Sequence, residues 1–227
     1  MRSQLGPYNQ SACEFLTAHD VTLWPLQISK AQYEPFSGPF AAYLNHQDKK
    51  PKGILRLCLK TTNGQSFRDL SLDQLVVYLQ GLGHLPVRLL EQIMVHKICT
   101  LVGPPSPPQG GGDLHRLPAR PSEQIGFLDE EALLPQTART FQAHRYVQEY
   151  FSFSQRYHFV AFKDLAAAVA QCDGDELHLI ILLDEYIHEL SSLSGPNSPQ
   201  RTQFEFPVIV DRAKPLDYEV YSVDAAW

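Results

Sequence analysis

Nine histidines, four cysteines and 25 acidic side chains are the groups of this sequence that could do chemistry, and their spacing decides which chemistry is open to them. His188-Glu189 opens like the helix of a zinc peptidase, in which a second histidine one turn on completes the metal grip. The residue at that place is Ser192, so the motif lacks a ligand. Asp173, Asp175 and Glu176 could offer oxygens to a hard cation, but the further ligands and closing glutamate of a calcium loop do not follow, and Gly174 marks a solvated turn. His19-Asp20 supplies two members of an acid/base relay without a G-x-S-x-G elbow, and a hydrogen-bonding role at a strand start is the expectation for His19. Gly110 to Gly112 follows prolines instead of a strand and lacks the lysine of a phosphate loop. Cys13, Cys58, Cys99 and Cys172 form no C-x-x-C pair and read as reduced, small hydrophobes. The expectation is therefore no catalytic residue, no metal site and no cofactor.

The densest group is aromatic. Phe141, Tyr146, Tyr150, Phe151, Phe153, Tyr157, Phe159 and Phe162 crowd one stretch, and aromatic side chains at this density mark a core or a binding surface. Tyr146, Val147, Tyr150 and Phe151 recur at helical spacing with Gln148 and Glu149 off the stripe, which predicts a helix that buries Tyr150 and Phe151 and turns into a strand at 152–154. Tyr146, Tyr150, Phe151, Phe153, Tyr157 and Trp24 are the structural or interface candidates. Base stacking would need interleaved cations, and only Arg145, Arg156 and Lys163 are near.

Several elements must position these residues. CEFLTAHDVTLWPLQI, Cys13 to Ile28, has strand composition with an edge or bulge at Pro25. Ile54 to Lys60 alternates as a half-buried strand before a tight turn at Asn63-Gly64. Ser71 and Gln74 form a capping-box pair ahead of Leu72, Leu75, Val76 and Leu79, which predicts a short helix ending at Gly81, and a second helix from Leu85 through Lys97 would complete a hairpin. GPPSPPQGGGD, Gly103 to Asp113, reads as a loop or linker. Beyond it come a short helix over Asp129 to Leu134, a longer one from Thr140 to Phe151, and strands at Tyr157 to Phe162, Leu177 to Leu183, Phe204 to Val210 and Asp217 to Val223. The class is α+β, with strand-rich mixed sheets and short packed helices, divided as residues 1–102, a loop at 103–113, and residues 114–227.

Charge and hydropathy narrow the function classes. With 44% hydrophobic residues the chain can bury a core, yet its longest apolar run, Leu177 to Leu183, is too short to span a bilayer. Met1 to Gln10 lacks the apolar stretch of a secretory signal, so a cytoplasmic chain is expected. Residues 1–114 carry 10 Lys and Arg against 8 Asp and Glu, and residues 115–227 carry 9 against 17, an acidic second half that repels phosphate backbones. No nucleic-acid partner is expected.

Five stretches, in order, resemble the TssF family, also called VasA or ImpG, of bacterial type VI secretion systems. They are CEFLTAHDVTLWPLQISKAQY (Cys13 to Tyr33), LDQLVVYLQG (Leu72 to Gly81), GFLDEEALLP (Gly126 to Pro135), YVQEYFSFSQRYHFVAF (Tyr146 to Phe162) and DYEVYSV (Asp217 to Val223). The resemblance covers the middle portion of the family's length, and around 191–203 this sequence is shorter than the family pattern. It implies a fragment of a multidomain baseplate wedge protein, non-catalytic and docked near the inner membrane. The implied partners are TssG, a second TssF copy, TssE, TssK and the VgrG/Hcp hub. Two other readings stand beside it: a metal- or acid/base-dependent hydrolase using His19, Asp20 and the acidic residues of the second half, and a free-standing module that binds an extended ligand through an exposed sheet edge or the Pro-rich loop.

Overall fold

Leu57, Leu59, Leu179 and Ile181 are fully buried, and they belong to two antiparallel neighbours that run through a five-stranded sheet. The computed structural model describes residues 22–37, 39–81, 83–105, 114–118, 122–134, 141–191 and 204–205. Among them are β1 (Leu26–Pro35), β2 (Gly53–Thr61), β3 (Leu75–Leu79), β4 (Lys97–Gly103) and β5 (His115–Arg116), with helix α1 (Leu85–Met94) between β3 and β4. β6 (Ser122–Gln124), α2 (Gln142–Ser152), β7 (Phe159–Phe162), α3 (Ala166–Val169), β8 (Glu176–Leu183), α4 (His188–Ser191) and β9 (Phe204–Glu205) follow. The first sheet has the order β1-β2-β8-β4-β5 and the second the order β6-β7-β3-β9. The fold is α+β as expected, but every strand pairing among the described residues is antiparallel, in place of mixed sheets.

One apolar cluster joins the sheets. Leu55, Leu57 and Leu59 of β2 and the odd-numbered residues of β8 meet Leu75, Val77 and Leu79 of β3, Val160 and Phe162 of β7, and Leu89 and Ile93 of α1. Two layers thus bury one face each, the arrangement that an amphipathic sheet requires. A smaller cluster of Phe40, Ile54, Leu101, Ile180 and Leu182 covers part of the opposite face of the first sheet. That cover explains why β2 is buried on both sides and not half-buried as its alternation suggested. Trp24 is half-buried against the larger cluster, just before β1.

Several expectations are corrected. The segment at 71–81 is not a helix: Leu75–Leu79 forms β3, paired with β7 and β9, with Leu75, Val77 and Leu79 at 0%, 0% and 1% exposure toward the core. A short run of Leu, Val and Tyr satisfies either period, and β-branched and aromatic side chains beside waiting partner strands decide for the sheet. There is accordingly no helical hairpin, only α1, which starts at Leu85 with Pro86 in its first turn but ends at Met94. Lys97 begins β4, a strand the sequence reading missed. Tyr157 lies in a short 3-10 helix (Ser154–His158) and the strand begins only at Phe159. Both sheets contain strands from before and after 103–113, so the expected boundary there does not separate two sheets. Residues 106–113, the strand readings at 206–210 and 217–223, and Cys13, His19 and Asp20 lie outside the described residues.

The strand expected over Cys13 to Ile28 starts only at Leu26, directly after Pro25, and runs on to Pro35, with residues 22–25 outside it; its edge position is as expected, and a register irregularity falls between Ile28 and Lys30. Gly64 takes the left-handed conformation (φ 72°) that a tight turn after β2 demands. Cys58, Cys99 and Cys172 are free and buried, and burial pushes the Cys99 thiol up to about 11.

Candidate functional site

Helix α2 follows a non-helical Phe141 and has an i, i+4 pair, Arg145 and Glu149, on one face. That face points inward. Arg145 and Glu149 are each 2% exposed, whereas Val147, Tyr150 and Phe151 are 56%, 54% and 83% exposed. The expectation that α2 buries Tyr150 and Phe151 is therefore overturned: the helix turns its charged pair inward and exposes Val147, Tyr150 and Phe151 beside the polar His144 and Gln148. Tyr146 sits at the boundary, its hydroxyl donating to the Phe127 carbonyl at 2.8 Å.

The inversion has a local cause. Glu149 Oε1 accepts hydrogen bonds from the Leu133 and Leu134 amides at 3.0 and 3.2 Å, and Oε2 accepts from the Tyr157 hydroxyl at 3.3 Å and from the Arg156 guanidinium. Arg156, fully buried, also donates to the carbonyls of Gly126 and Glu131. Arg145 donates to Asp129 at 3.3 Å and lies 4.6 Å over the Tyr146 ring. Glu131 turns back to accept from the Gly126 and Leu128 amides at 2.7 and 3.1 Å. The segment 126–134 is a loop with a 3-10 turn (Asp129–Glu131), whose backbone groups need partners, and α2 and the following turn supply them as side chains. Gly126 makes the close approach possible at φ 116°, since a Cβ there would stand 3.0 Å from the Tyr157 ring. Burial raises the Tyr157 phenol above its ordinary value and the nearby Glu149 charge adds to this, so it stays a donor.

The candidates thus divide. Phe153 and Tyr157 are core residues at 8% and 6% exposure, Trp24 packs against the cluster between the sheets, and Tyr150 and Phe151 face outward. Tyr150 and Tyr157 remain neighbours, 6.1 Å between ring centroids. Phe127 and Leu128, exposed on the clamped loop, extend the apolar surface beside α2. The sequence reading missed Arg145, Glu149 and Arg156. Their signal was the i, i+4 charge pair lying opposite the aromatic stripe, which reads equally well as a solvated face.

Two other polar groups tie elements together. Lys97 at the head of β4 donates to the Ser122 hydroxyl of β6, linking the two sheets, and burial pushes its amine down to about 8. His96 bridges Asp184 at 2.8 Å and Glu185 at 3.0 Å, and Asp184 also meets Lys49. Burial works against the charged Asp184 carboxyl, but the Lys49 and His96 contacts outweigh it and hold the group below its usual range. Among the described residues no group of three or more His, Cys, Asp and Glu could hold a metal ion, and no helix is long and apolar enough to cross a membrane.

The chain is thus a two-sheet α+β unit whose buried charges clamp its own loop and whose helix α2 turns Val147, Tyr150 and Phe151 outward. The family model described as "Type VI secretion system, TssF" matches residues 1–198, and the chain belongs to this family. It is 37% identical over 245 residues to the type VI secretion system component TssF1 of Pseudomonas aeruginosa, an alignment that takes in 98% of this chain and 39% of that protein. The alignment is longer than this chain, so TssF1 carries residues with no counterpart here, and the chain spans about two fifths of the length of that relative. Among solved structures, a chain of the type VI secretion system TssK-TssF-TssG baseplate subcomplex matches with a TM-score of 0.58 at 18% identity, over 79% of this chain and 31% of that one. At that identity the likeness speaks to the fold.

Proposed function

We propose that the chain is a structural, non-catalytic part of a type VI secretion baseplate, holding protein partners in register around the spike while the sheath and tube assemble. TssG and TssK are the first partners to expect, because the structure that shares this fold is a TssK-TssF-TssG subcomplex. A second TssF copy, TssE and the VgrG/Hcp hub complete the proposed neighbourhood, in the cytoplasm beside the inner membrane. The observation that carries the reading is the outward apolar face of α2 on a chain of this family: Phe151 at 83% exposure is a poor choice for a free surface and a good one for an interface. Its mechanism would be mechanical, with contacts that hold the wedge and rearrange on contraction.

Co-expression with TssG and TssK from one genome, followed by affinity capture on this chain and mass determination of the eluted complex, tests the proposal. A stoichiometric complex is the expected result. Capture of this chain alone, with TssG and TssK folded and present in the lysate, would contradict it.

A further inference from the structure

The smaller apolar cluster covers only part of its face of the first sheet, and the rest of that face carries polar side chains. The ladder fixes their places: Lys30, Cys58 and His178 stand abreast on β1, β2 and β8, and Gln32, Arg56 and Ile180 form the next row on the same face. Arg56 is therefore the diagonal neighbour of both Lys30 and His178, about 7–8 Å from each along the sheet. Ile180 and Phe40 belong to the apolar cluster, and the Arg56 guanidinium lies 5.7 Å over the Phe40 ring. Arg56 is the anomaly. It is half-buried, its Nε is shut off from solvent without an acceptor, and among the described residues its guanidinium makes no ion pair. Exposed Lys30 and half-buried Gln32 and His178 have no side-chain partner there either. An arginine fork holds its donors in one plane, and a fork fixed in this way with none of them taken is open to an acceptor from outside.

The field over this patch is positive. Burial raises the Cys58 thiol at its centre, and of the charges around that thiol those of Arg56 and Lys30 act more strongly than those of Glu176 and Glu34. Glu176 is in any case taken by Lys60 at 3.0 Å. Burial first, and then the Arg56 charge, push the His178 imidazole below its ordinary value, which leaves it a neutral hydrogen-bonding group at pH 7. Two cations are too few for a nucleic-acid backbone, and Glu34 and Glu176 at the ends of the patch repel one. They also fall short of the cluster of about four to eight basic residues that an anionic membrane selects. A lone small anion is poorly held, because strand amides lie in the plane of the sheet and only side chains reach out of it. What fits is a pair of carboxylates about 7 Å apart, the separation of residues i and i+2 on one side of an extended chain.

We propose that this face, centred on Arg56, docks an acidic extended segment of a partner protein, with one carboxylate in the Arg56 fork and a second, two residues away, on Lys30. Gln32 and His178 are further donors beside them. The Phe40 ring backs the guanidinium and keeps its plane fixed for two parallel hydrogen bonds to one carboxylate. Arg56 carries most of the binding, and exposed Lys30 sets the sign of the partner from the rim. The inference does not rest on the baseplate reading: it gives the chemistry of a partner segment, and its test contains no baseplate subunit, so the two can fail separately.

The test uses the whole chain and a fluorescent peptide about ten residues long in which glutamate alternates with threonine, so that its carboxylates share one side of an extended chain. A matching lysine and threonine peptide and a single-stranded DNA of about ten nucleotides serve as the comparisons. Saturable binding of the glutamate peptide is expected, weakened about tenfold by Arg56→Gln and measurably by Lys30→Gln, and left unchanged by Lys50→Gln, at an exposed lysine outside the patch. Arg56→Gln and Lys30→Gln should melt like the parent, and exposed Lys30 keeps the test decisive if Arg56→Gln does not fold. Equal affinity for the two peptides, or unchanged affinity in Lys30→Gln and in a folded Arg56→Gln, would overturn the proposal. So would DNA binding tighter than peptide binding, or a dimer in sedimentation that Lys30→Gln dissolves.

Discussion

Glu149 has every acceptor site in use: two backbone amides, the Tyr157 hydroxyl and the Arg156 guanidinium converge on one buried carboxylate. Its removal would strand Arg156, which is fully buried, without a counter-charge. Breaking such a pair costs about 3–5 kcal/mol. Glu149→Ala is therefore expected to lower the urea midpoint sharply, while Phe151→Ala, at the most exposed aromatic of α2, stays within about 0.5 kcal/mol of the parent. Equal losses in the two variants would mean that α2 is seated the other way round. Lys97 offers a test by pH. Its amine falls from the ordinary 10.5 to about 8 through burial, so between those values the unfolded chain holds more protons than the folded one. Stability from this group is therefore present above pH 10.5 and is lost as pH falls through about 8. Lys97→Met should be more stable than the parent at pH 7, and the gap should close as pH approaches 10. Urea titrations of both chains at the two pH values would show it, and a gap that widens at high pH would reverse the sign.

At the scale of elements, β3 and α2 teach opposite lessons from the same kind of pattern. Both carry apolar side chains at helical spacing. In β3 the spacing was accidental, and the strand buries Leu75, Val77 and Leu79 while Val76 is half-buried on the other side. A helix with the expected stripe would have buried Val76 and left Val77 aside, so two substitutions separate the cases. Val77→Asn should cost on the order of 3 kcal/mol, since it strands an amide between the sheets. Val76→Thr should cost less than about 1 kcal/mol. In α2 the spacing was real, but periodicity names a stripe without saying which side faces the core. β8 was legible as a central strand because a continuous apolar run fits a position buried on both faces. β4 was not, because Lys97 and Cys99 masked its start and the pattern of the preceding helix runs on into it. The Arg145, Glu149 and Arg156 clamp was beyond reach, since it joins residues seven apart to a loop whose place only the fold defines.

For the whole molecule, β8 comes from residues 176–183 yet lies between β2 and β4, and one apolar cluster spans both sheets. Neither sheet can therefore be completed from residues on one side of 103–113 alone. Pieces 1–105 and 114–227, produced separately, are expected to show no cooperative melting, whereas the intact chain melts in one transition. An independent, sharp transition in either piece would mean that the halves fold apart. The α+β class and the family were readable before the topology, because strand runs and ordered motifs survive in sequence while the pairing of distant strands does not. What the family contributes to function depends on whether α2 presents Tyr150 and Phe151 outward and then covers them with a partner. Hydroxyl-radical footprinting of the chain, alone and in complex with TssG and TssK, measures this directly. In the free chain Phe151 and Tyr150 should oxidise rapidly while Tyr157 is protected, and in the complex Phe151 should become protected as well. Protection of Phe151 in the free chain, or an unchanged Phe151 rate in a stoichiometric complex, would contradict the account.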